Sequence, residues 1–388
     1  MINEKRLEQQ LRTFERILLS YKFEEPLSRF LTSYYKQNRQ MGSNDRRVAS
    51  RLLYNYFRLG KGLQDLSILT RLAISEFLCT SSSDFIALIE PKLIPYIEES
   101  LDKKLSYLEK EYKFSINTVF PLIDKVSNMI DLDRFILGHF KQPDLFIRIH
   151  SGQEETVKRA LKENGIDYNE ISKNSLSFVN GSQLDKIKSI QGKYEVQDLS
   201  SQKTGNLFKA VDSESWWDAC AGSGGKSILL KQLHSGVKLL VSDSRNTILR
   251  NLDSRLANSN ITEYRRKIID LTKNPVSVLS NELFDGIILD IPCSGSGTWG
   301  RSPEGMTSFS EEKLKYYSDL QRQIIENVIK HIRPGKPLIY ITCSIYKQEN
   351  EDQVAFLETK GFKLEEMTYF EGTADRADTL FAARLVAI

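Results

Sequence analysis

Asp218-Ala219-Cys220-Ala221-Gly222-Ser223-Gly224-Gly225-Lys226-Ser227 is the stretch on which the reading of the fold turns. It follows the apolar run Trp216 to Ala219 and leads into a helical pattern, so it reads as a glycine-rich turn from a strand into a helix. Such a turn lets backbone N–H groups approach a ligand closely. Two common nucleotide patterns fail on it. An ATP-binding loop needs glycine five places before Gly225-Lys226-Ser227, where Cys220 stands, and the dinucleotide pattern fits Gly222 and Gly224 but meets Ser227 at its third glycine. Neither ATP nor NAD is favoured.

Working outward from this turn, β-rich apolar runs alternate with helical patterns. The expected strands are Trp216 to Ala219, Lys238 to Ser242, Phe284 to Asp290 and Pro337 to Thr342, with an amphipathic helix over Lys313 to Ile332. This alternation predicts an α/β domain with a mostly parallel, Rossmann-like sheet covered by helices on both faces. Ligands of such sheets bind at the carboxyl ends of the strands. Asp243 ends the second strand, and an acidic side chain there accepts hydrogen bonds from both hydroxyls of a ribose. The competing reading is a helix-capping Asp. Asp270, after Arg266-Lys267-Ile268-Ile269, is placed at the end of a third strand, near an adenine.

Upstream, Leu145 to Ile149 reads as a strand, Ser151 to Glu154 as a capping box opening a helix through Leu161, and Ser175 to Val179 as a strand closed by an Asn180-Gly181 turn. Earlier still, Leu7, Leu11, Phe14, Ile17, Leu18 and Tyr21 have helical spacing, as do Val48, Leu52, Leu53, Tyr56 and Phe57. The expected organisation is an all-helical domain over 1–140, a small α/β subdomain over 143–195 and the Rossmann-like domain over 196–388.

Composition narrows the function classes. With 388 residues, 40% of them hydrophobic and 27% charged, the chain can bury a core in each of two or three domains. No apolar run approaches the length that crosses a bilayer, and the charged start, Met1 to Arg12, lacks a secretory apolar segment, so a cytoplasmic protein is expected. Four cysteines with no C-x-x-C pair and no histidine cluster imply neither a disulfide framework nor a metal site. Residues 1–60 hold twelve Lys and Arg against six Asp and Glu, a basic excess that suits phosphates or a solvated helix face.

Two cysteines fall at strand ends. The fourth strand runs into Asp290-Ile291-Pro292-Cys293-Ser294-Gly295-Ser296-Gly297 and the fifth into Thr342-Cys343-Ser344, followed by Glu349-Asn350-Glu351. Cys79 reads as a small core hydrophobe and Cys220 as packing beneath the glycine loop. Cys293 and Cys343 sit in polar turns facing one crevice. A thiolate adding to carbon 6 of a cytosine pushes electron density onto carbon 5, which then attacks a methyl donor. A carboxyl group such as Asp290 at the N3/N4 edge stabilises the charge that develops, and a base must afterwards remove the carbon 5 proton.

Val196 to Gln202, Asp218 to Ser227, Asp290 to Gly297 and Thr342-Cys343-Ser344 with Glu349-Asn350-Glu351 occur in the order found in the Sun/RsmB-like family of RNA cytosine-5 methyltransferases, which residues 143–388 resemble. The resemblance implies S-adenosyl-L-methionine as cofactor, held by Cys220, Ala221, Gly222, Ser223, Gly224, Gly225, Lys226, Asp243, Asp270 and Asp290. It implies Cys343 as nucleophile, Cys293 as the residue assisting product release, Asp290 holding the base and Lys226 nearby; the two thiols are not told apart by the residues themselves. Small-subunit (16S) ribosomal RNA is the implied substrate, with no metal and no membrane partner, and a monomer suffices. Residues 1–140, chiefly Asp45-Arg46-Arg47 to Arg58, resemble a NusB-type RNA-binding module. The chain departs from the family pattern at Gly222-Ser223 in the loop, at Ile248 and at Lys336. The other reading is a ribosome-assembly or RNA-binding factor on the same fold without catalysis.

Overall fold

A computed structural model describes residues 4–388; the first three residues of the charged start and of the expected helical domain lie outside them. The chain packs as two units. One comprises residues up to Asp124, Asp131–Gln142 and Thr298–Glu311; the other comprises Lys125–Ile130, Pro143–Gly297 and Glu312–Ile388. Among the described residues no helix is long and apolar enough to cross a membrane.

The first unit is helical. Helices Glu4–Ser20, Leu27–Gln37, Ser43–Arg58 and Ile68–Cys79 bury Phe14, Ile17, Leu27, Leu52, Leu53 and Leu72 in one core. The first and third match the expected periodicities. The second, entered through Pro26, was not anticipated. Residues Thr298–Glu311 contribute Trp299, stacked with Phe120 and Phe309, and Glu304, whose Oε1 accepts the Leu27 N–H at 3.0 Å.

The second unit carries two sheets. The smaller is antiparallel, in the order β2-β3-β1-β4, from β1 (Leu145–Ile149), β2 (Asn169–Ser172), β3 (Ser175–Phe178) and β4 (Tyr194–Val196). Helix Glu154–Glu163 covers it with Val157 and Leu161. One local expectation is corrected here. Ser151 makes no capping box: Gly152 turns with φ +79°, the helix starts at Glu154, and its cap residue Gln153 makes no side-chain bond. Strand β3 ends as expected at a turn through Asn180-Gly181, where the Ser182 N–H reaches the Val179 carbonyl at 3.2 Å, and it pairs with β2 in a hairpin between Ser172 and Ser175.

The larger sheet has seven strands: β5 (Ser215–Asp218), β6 (Lys238–Asp243), β7 (Arg265–Ile268), β8 (Gly286–Asp290), β9 (Pro337–Thr342), β10 (Phe362–Phe370) and β11 (Leu380–Ala387). Their order is β10-β11-β9-β8-β5-β6-β7. β9, β8, β5, β6 and β7 run parallel; β11 pairs antiparallel with β9, and β10 pairs antiparallel with β11. This is the expected mostly parallel, Rossmann-like sheet. Alternate side chains enter two cores. Trp217, Leu240, Leu289 and Tyr340 pack under helices Glu311–Val328 and Glu351–Thr359, while Trp216, Val241, Ile288 and Ile341 pack under Gly225–Leu233 and Asn246–Asn258. Because both faces are covered, these strands are apolar throughout instead of alternating. The strand order reverses between β5 and β8, which opens a crevice at their carboxyl ends.

Candidate active site

A cavity of about 610 Å³ lies at that crevice, lined by the glycine loop after β5 and by the residues ending β6, β8 and β9. All of it belongs to the second unit. It gathers Cys220, Ala221, Gly222, Ser223, Gly225, Lys226, Asp243, Asp270, Asp290, Cys293 and Cys343, every expected site residue except Gly224. Gly224 shapes the loop from behind: its φ is +89°, and a Cβ there would stand 3.0 Å from Leu252. A side chain would therefore be strained both by its conformation and by the helix beneath.

The loop is tied down from three sides. The Ala221 N–H reaches the Ser242 carbonyl at 2.9 Å, the Gly222 N–H reaches Asp243 Oδ2 at 3.1 Å, and Ser227 Oγ donates to Asp218 Oδ2 at 2.5 Å. Asp218 is fully buried, and burial pushes its carboxyl pKa up to about 7. Arg255, hydrogen-bonded to both the carbonyl and the hydroxyl of Ser223, is itself anchored by Glu195 at 2.7 Å. Burial works against the Glu195 charge, but bonds from His150, Ser259 and Arg255 outweigh it and hold its pKa at about 2. Arg255 and Glu195 lie outside the motifs, and sequence spacing gave no sign of them.

At the end of β6, Asp243 accepts from the Arg245 backbone N–H at 2.9 Å and from its guanidinium at 2.9 and 3.1 Å. Burial raises the Asp243 pKa, yet the Arg245 and Gly222 bonds hold it below the usual carboxylate range. It does not cap helix Asn246–Asn258, whose cap position is Arg245. Asp270 lies two residues beyond β7, at the rim, and takes the Thr272 backbone and hydroxyl hydrogens. Cys220 is pushed well above the ordinary thiol pKa, chiefly by burial, and packs against the core.

Lys226 points from the first turn of its helix to Asp290 Oδ2 at 3.0 Å and Ser201 Oγ at 2.8 Å. The lysine is buried and the Asp290 side chain is 34% exposed, so the pair presents its carboxyl to the cavity. Ser201 falls within the quoted Val196 to Gln202 stretch, but nothing in the sequence gave it a partner.

Cys293 and Cys343 meet with their sulfurs 3.3 Å apart, although 50 residues separate them. The Cys343 N–H also points to the Cys293 sulfur at 3.4 Å. The bond between the thiols, then burial, pushes the Cys293 pKa well above the ordinary thiol value. The two thiols thus form one hydrogen-bonded pair in which either sulfur can donate.

Residues 206–385 match the family model described as 16S rRNA methyltransferase RsmB/F. A curated relative, ribosomal RNA small subunit methyltransferase B of Shewanella oneidensis, is 35% identical over 173 residues, covering 43% of this chain and 39% of that protein. The same-named protein of Photorhabdus laumondii is 27% identical over 229 residues, covering 57% and 52%. The matches thus span about two fifths to one half of the length of these relatives. Among solved structures, PH0851 superposes with a TM-score of 0.72 at 23% identity over 96% of this chain and 97% of its own. NSun6 from Pyrococcus horikoshii, solved with SFG, superposes with a TM-score of 0.61 at 17% identity over 68% and 97%. At these identities the structural likeness is one of fold. Residues 206–385 thus form a domain that matches the RsmB/F methyltransferase family.

Proposed function

We propose that the chain is an S-adenosyl-L-methionine-dependent RNA methyltransferase that methylates carbon 5 of a cytosine in small-subunit ribosomal RNA through a covalent Cys343–carbon 6 adduct. The observation that carries this reading is the pair of strand-end thiols, 3.3 Å apart, in one cavity with the glycine loop and Asp290.

The lining fits an adenosyl cofactor. A Cβ at Gly222 or Gly225 would meet nothing within 4 Å, so backbone faces open space there. Asp243, ending β6, and Asp270, two residues past the end of the neighbouring β7, stand where ribose hydroxyls and an adenine amino group would be held. Bound there, S-adenosyl-L-methionine supplies an electrophilic methyl group. The residues of the chain do the rest. Cys343, as thiolate, adds to carbon 6 and sends electron density to carbon 5. Asp290 holds the N3/N4 edge, while Lys226 fixes that carboxyl and brings positive charge to the side of the ring where electrons accumulate. After transfer, loss of the carbon 5 proton to a base restores the double bond and breaks the carbon 6–sulfur bond. Cys293, as a thiol, hydrogen-bonds to the departing Cys343 sulfur. The order of the two roles rests on the family resemblance.

The target cytosine must be unpaired or turned out of its stack for carbons 5 and 6 to be reached from the ring face. The helical unit is read as the NusB-like RNA-docking part, acting in the cytoplasm: Lys5, Arg6 and Arg16 line a pocket of about 680 Å³ on its surface. The test is methyl transfer from labelled S-adenosyl-L-methionine to unmodified small-subunit ribosomal RNA, followed by digestion to nucleosides. Label in 5-methylcytosine supports the reading. Label in another nucleoside overturns the chemistry, and RNA binding with no cofactor binding by calorimetry favours the non-catalytic factor.

A further inference from the structure

Glu349 opens the Glu349-Asn350-Glu351 motif and takes no part in the reaction just described, yet it is fully buried where the turns after β8 and β9 meet. Its Oε1 accepts the Ser294 backbone N–H at 2.7 Å and the Gln321 amide at 3.2 Å. Its Oε2 accepts the Ser294 hydroxyl at 2.5 Å and the Ser344 hydroxyl. Ser294 follows Cys293 and Ser344 follows Cys343, so one carboxyl group grips both cysteine turns. Gln321 adds a bond to the Pro292 carbonyl at 3.1 Å, just before Cys293. Ser296 closes the ring: its oxygen lies 3.1 Å from Ser294 Oγ and 3.2 Å from Ser344 Oγ, and it accepts the Ile345 N–H at 2.9 Å.

Burying a carboxyl group is costly unless donors surround it. Here burial pushes the Glu349 pKa up while the serine and glutamine donors pull it back. An apolar side chain of similar size would fill the space at less cost, but it could not hold two turns in one register. We propose that Glu349 is a positioning residue for the thiol pair, clamping the turn of Cys293 to the turn of Cys343 through Ser294 and Ser344 and so fixing the two sulfurs at 3.3 Å. Its catalytic meaning rests on the role given above to the thiols, but the spacing is measurable without RNA.

The test uses the reduced full chain and phenylarsine oxide. Its trivalent arsenic bonds both sulfurs of a close thiol pair and releases water, with no change of oxidation state. Competition with a monothiol gives the strength of the bridge, and Cys293→Ala identifies the bridge as the Cys293–Cys343 one. Glu349→Ala is expected to weaken it about tenfold or more, with cooperative unfolding and S-adenosyl-L-methionine affinity close to wild type. Glu349→Gln is expected to return it to within about threefold. Its carbonyl can face the Ser294 N–H, and its amide can donate to hydroxyls that turn to accept. A folded, cofactor-binding Glu349→Ala protein that bridges the arsenical as wild type does would overturn the clamp, as would a folded Gln variant no better than Ala. If Glu349→Ala does not fold, the Ser294→Ala/Ser344→Ala pair replaces it, with the same weakening expected and an unchanged bridge contradicting it. A weakened bridge in a protein whose wild type never methylates RNA would leave the clamp standing and remove the reaction.

Discussion

The cavity has two sides, and they are built from different materials. After β5 the chain presents backbone: Gly222 and Gly225 face open space, and the nearest charged partner of Asp243 is Arg245, whose side chain is 64% exposed. After β8 and β9 the chain presents side chains packed on one another: two thiols, three serine hydroxyls and the buried carboxyl of Glu349. A surface that must take up and release a cofactor every turnover gains from open backbone and exchangeable partners. A pair of sulfurs that must form and break a covalent bond gains from fixed geometry, because an error of about 1 Å at the reacting atoms can cost about 100-fold. Substitutions on the two sides should therefore fail differently, the cofactor side in affinity and the thiol side in rate.

The largest effect is expected at Cys343. Cys343→Ala removes the nucleophile and should lower methyl transfer at saturating substrates by about 10⁴-fold or more, with cofactor affinity by calorimetry unchanged. Next comes Asp290→Asn, which weakens the Lys226 pair and the grip on the N3/N4 edge; kcat should fall by about 100- to 1000-fold. On the opposite side, Asp243→Ala should raise the cofactor Kd about 10- to 100-fold while leaving kcat at saturating cofactor near wild type. An equal loss of kcat would break the division between the two sides.

Two smaller effects sharpen it. The folded pKa of Asp218, about 7, lies above its ordinary 3.8, so the folded protein keeps a proton that the unfolded chain releases. Stability from this group is therefore full at the acid end and is lost as pH rises from about 3.8 to about 7. Tm measured between pH 5 and 8 should fall more steeply in wild type than in Asp218→Asn, which keeps a partner for Ser227. Smallest of all is Arg245→Ala. Its guanidinium occupies the carboxylate edge that ribose hydroxyls would use, and an exposed ion pair adds at most about 1 kcal/mol. The cofactor Kd should stay within about fivefold of wild type, and a shift should be toward tighter binding.

Much of the parallel sheet was legible because its strands are apolar runs ending in chemistry. Trp216 to Ala219, Lys238 to Ser242 and Pro337 to Thr342 lie within a residue of the strands formed. Cys293 and Cys343 were legible as a pair because both interrupt apolar runs with polar turns at neighbouring strand ends. What could not be read has two physical sources. Weak local signals fall to tertiary context: β2 is wholly exposed and β4 has three residues, and Gly152 overrode the Ser151 to Glu154 pattern by taking a left-handed turn. The others are partnerships between distant positions. Lys226 finds Ser201 across 25 residues and Glu349 finds Ser294 across 55, distances at which spacing carries no information. Arg245 lies only two residues from Asp243, but an exposed arginine after a strand-end acid has no distinctive sequence pattern.

The central claim is that Cys343 bonds to the base and Cys293 helps to release it. The most direct measurement incubates Cys293→Ala protein with S-adenosyl-L-methionine and small-subunit ribosomal RNA, then resolves the mixture on a denaturing gel. The account expects a protein–RNA adduct that survives denaturation and disappears in the Cys293→Ala/Cys343→Ala double variant. An adduct that persists without Cys343, or one that forms in Cys343→Ala protein through Cys293, would contradict it.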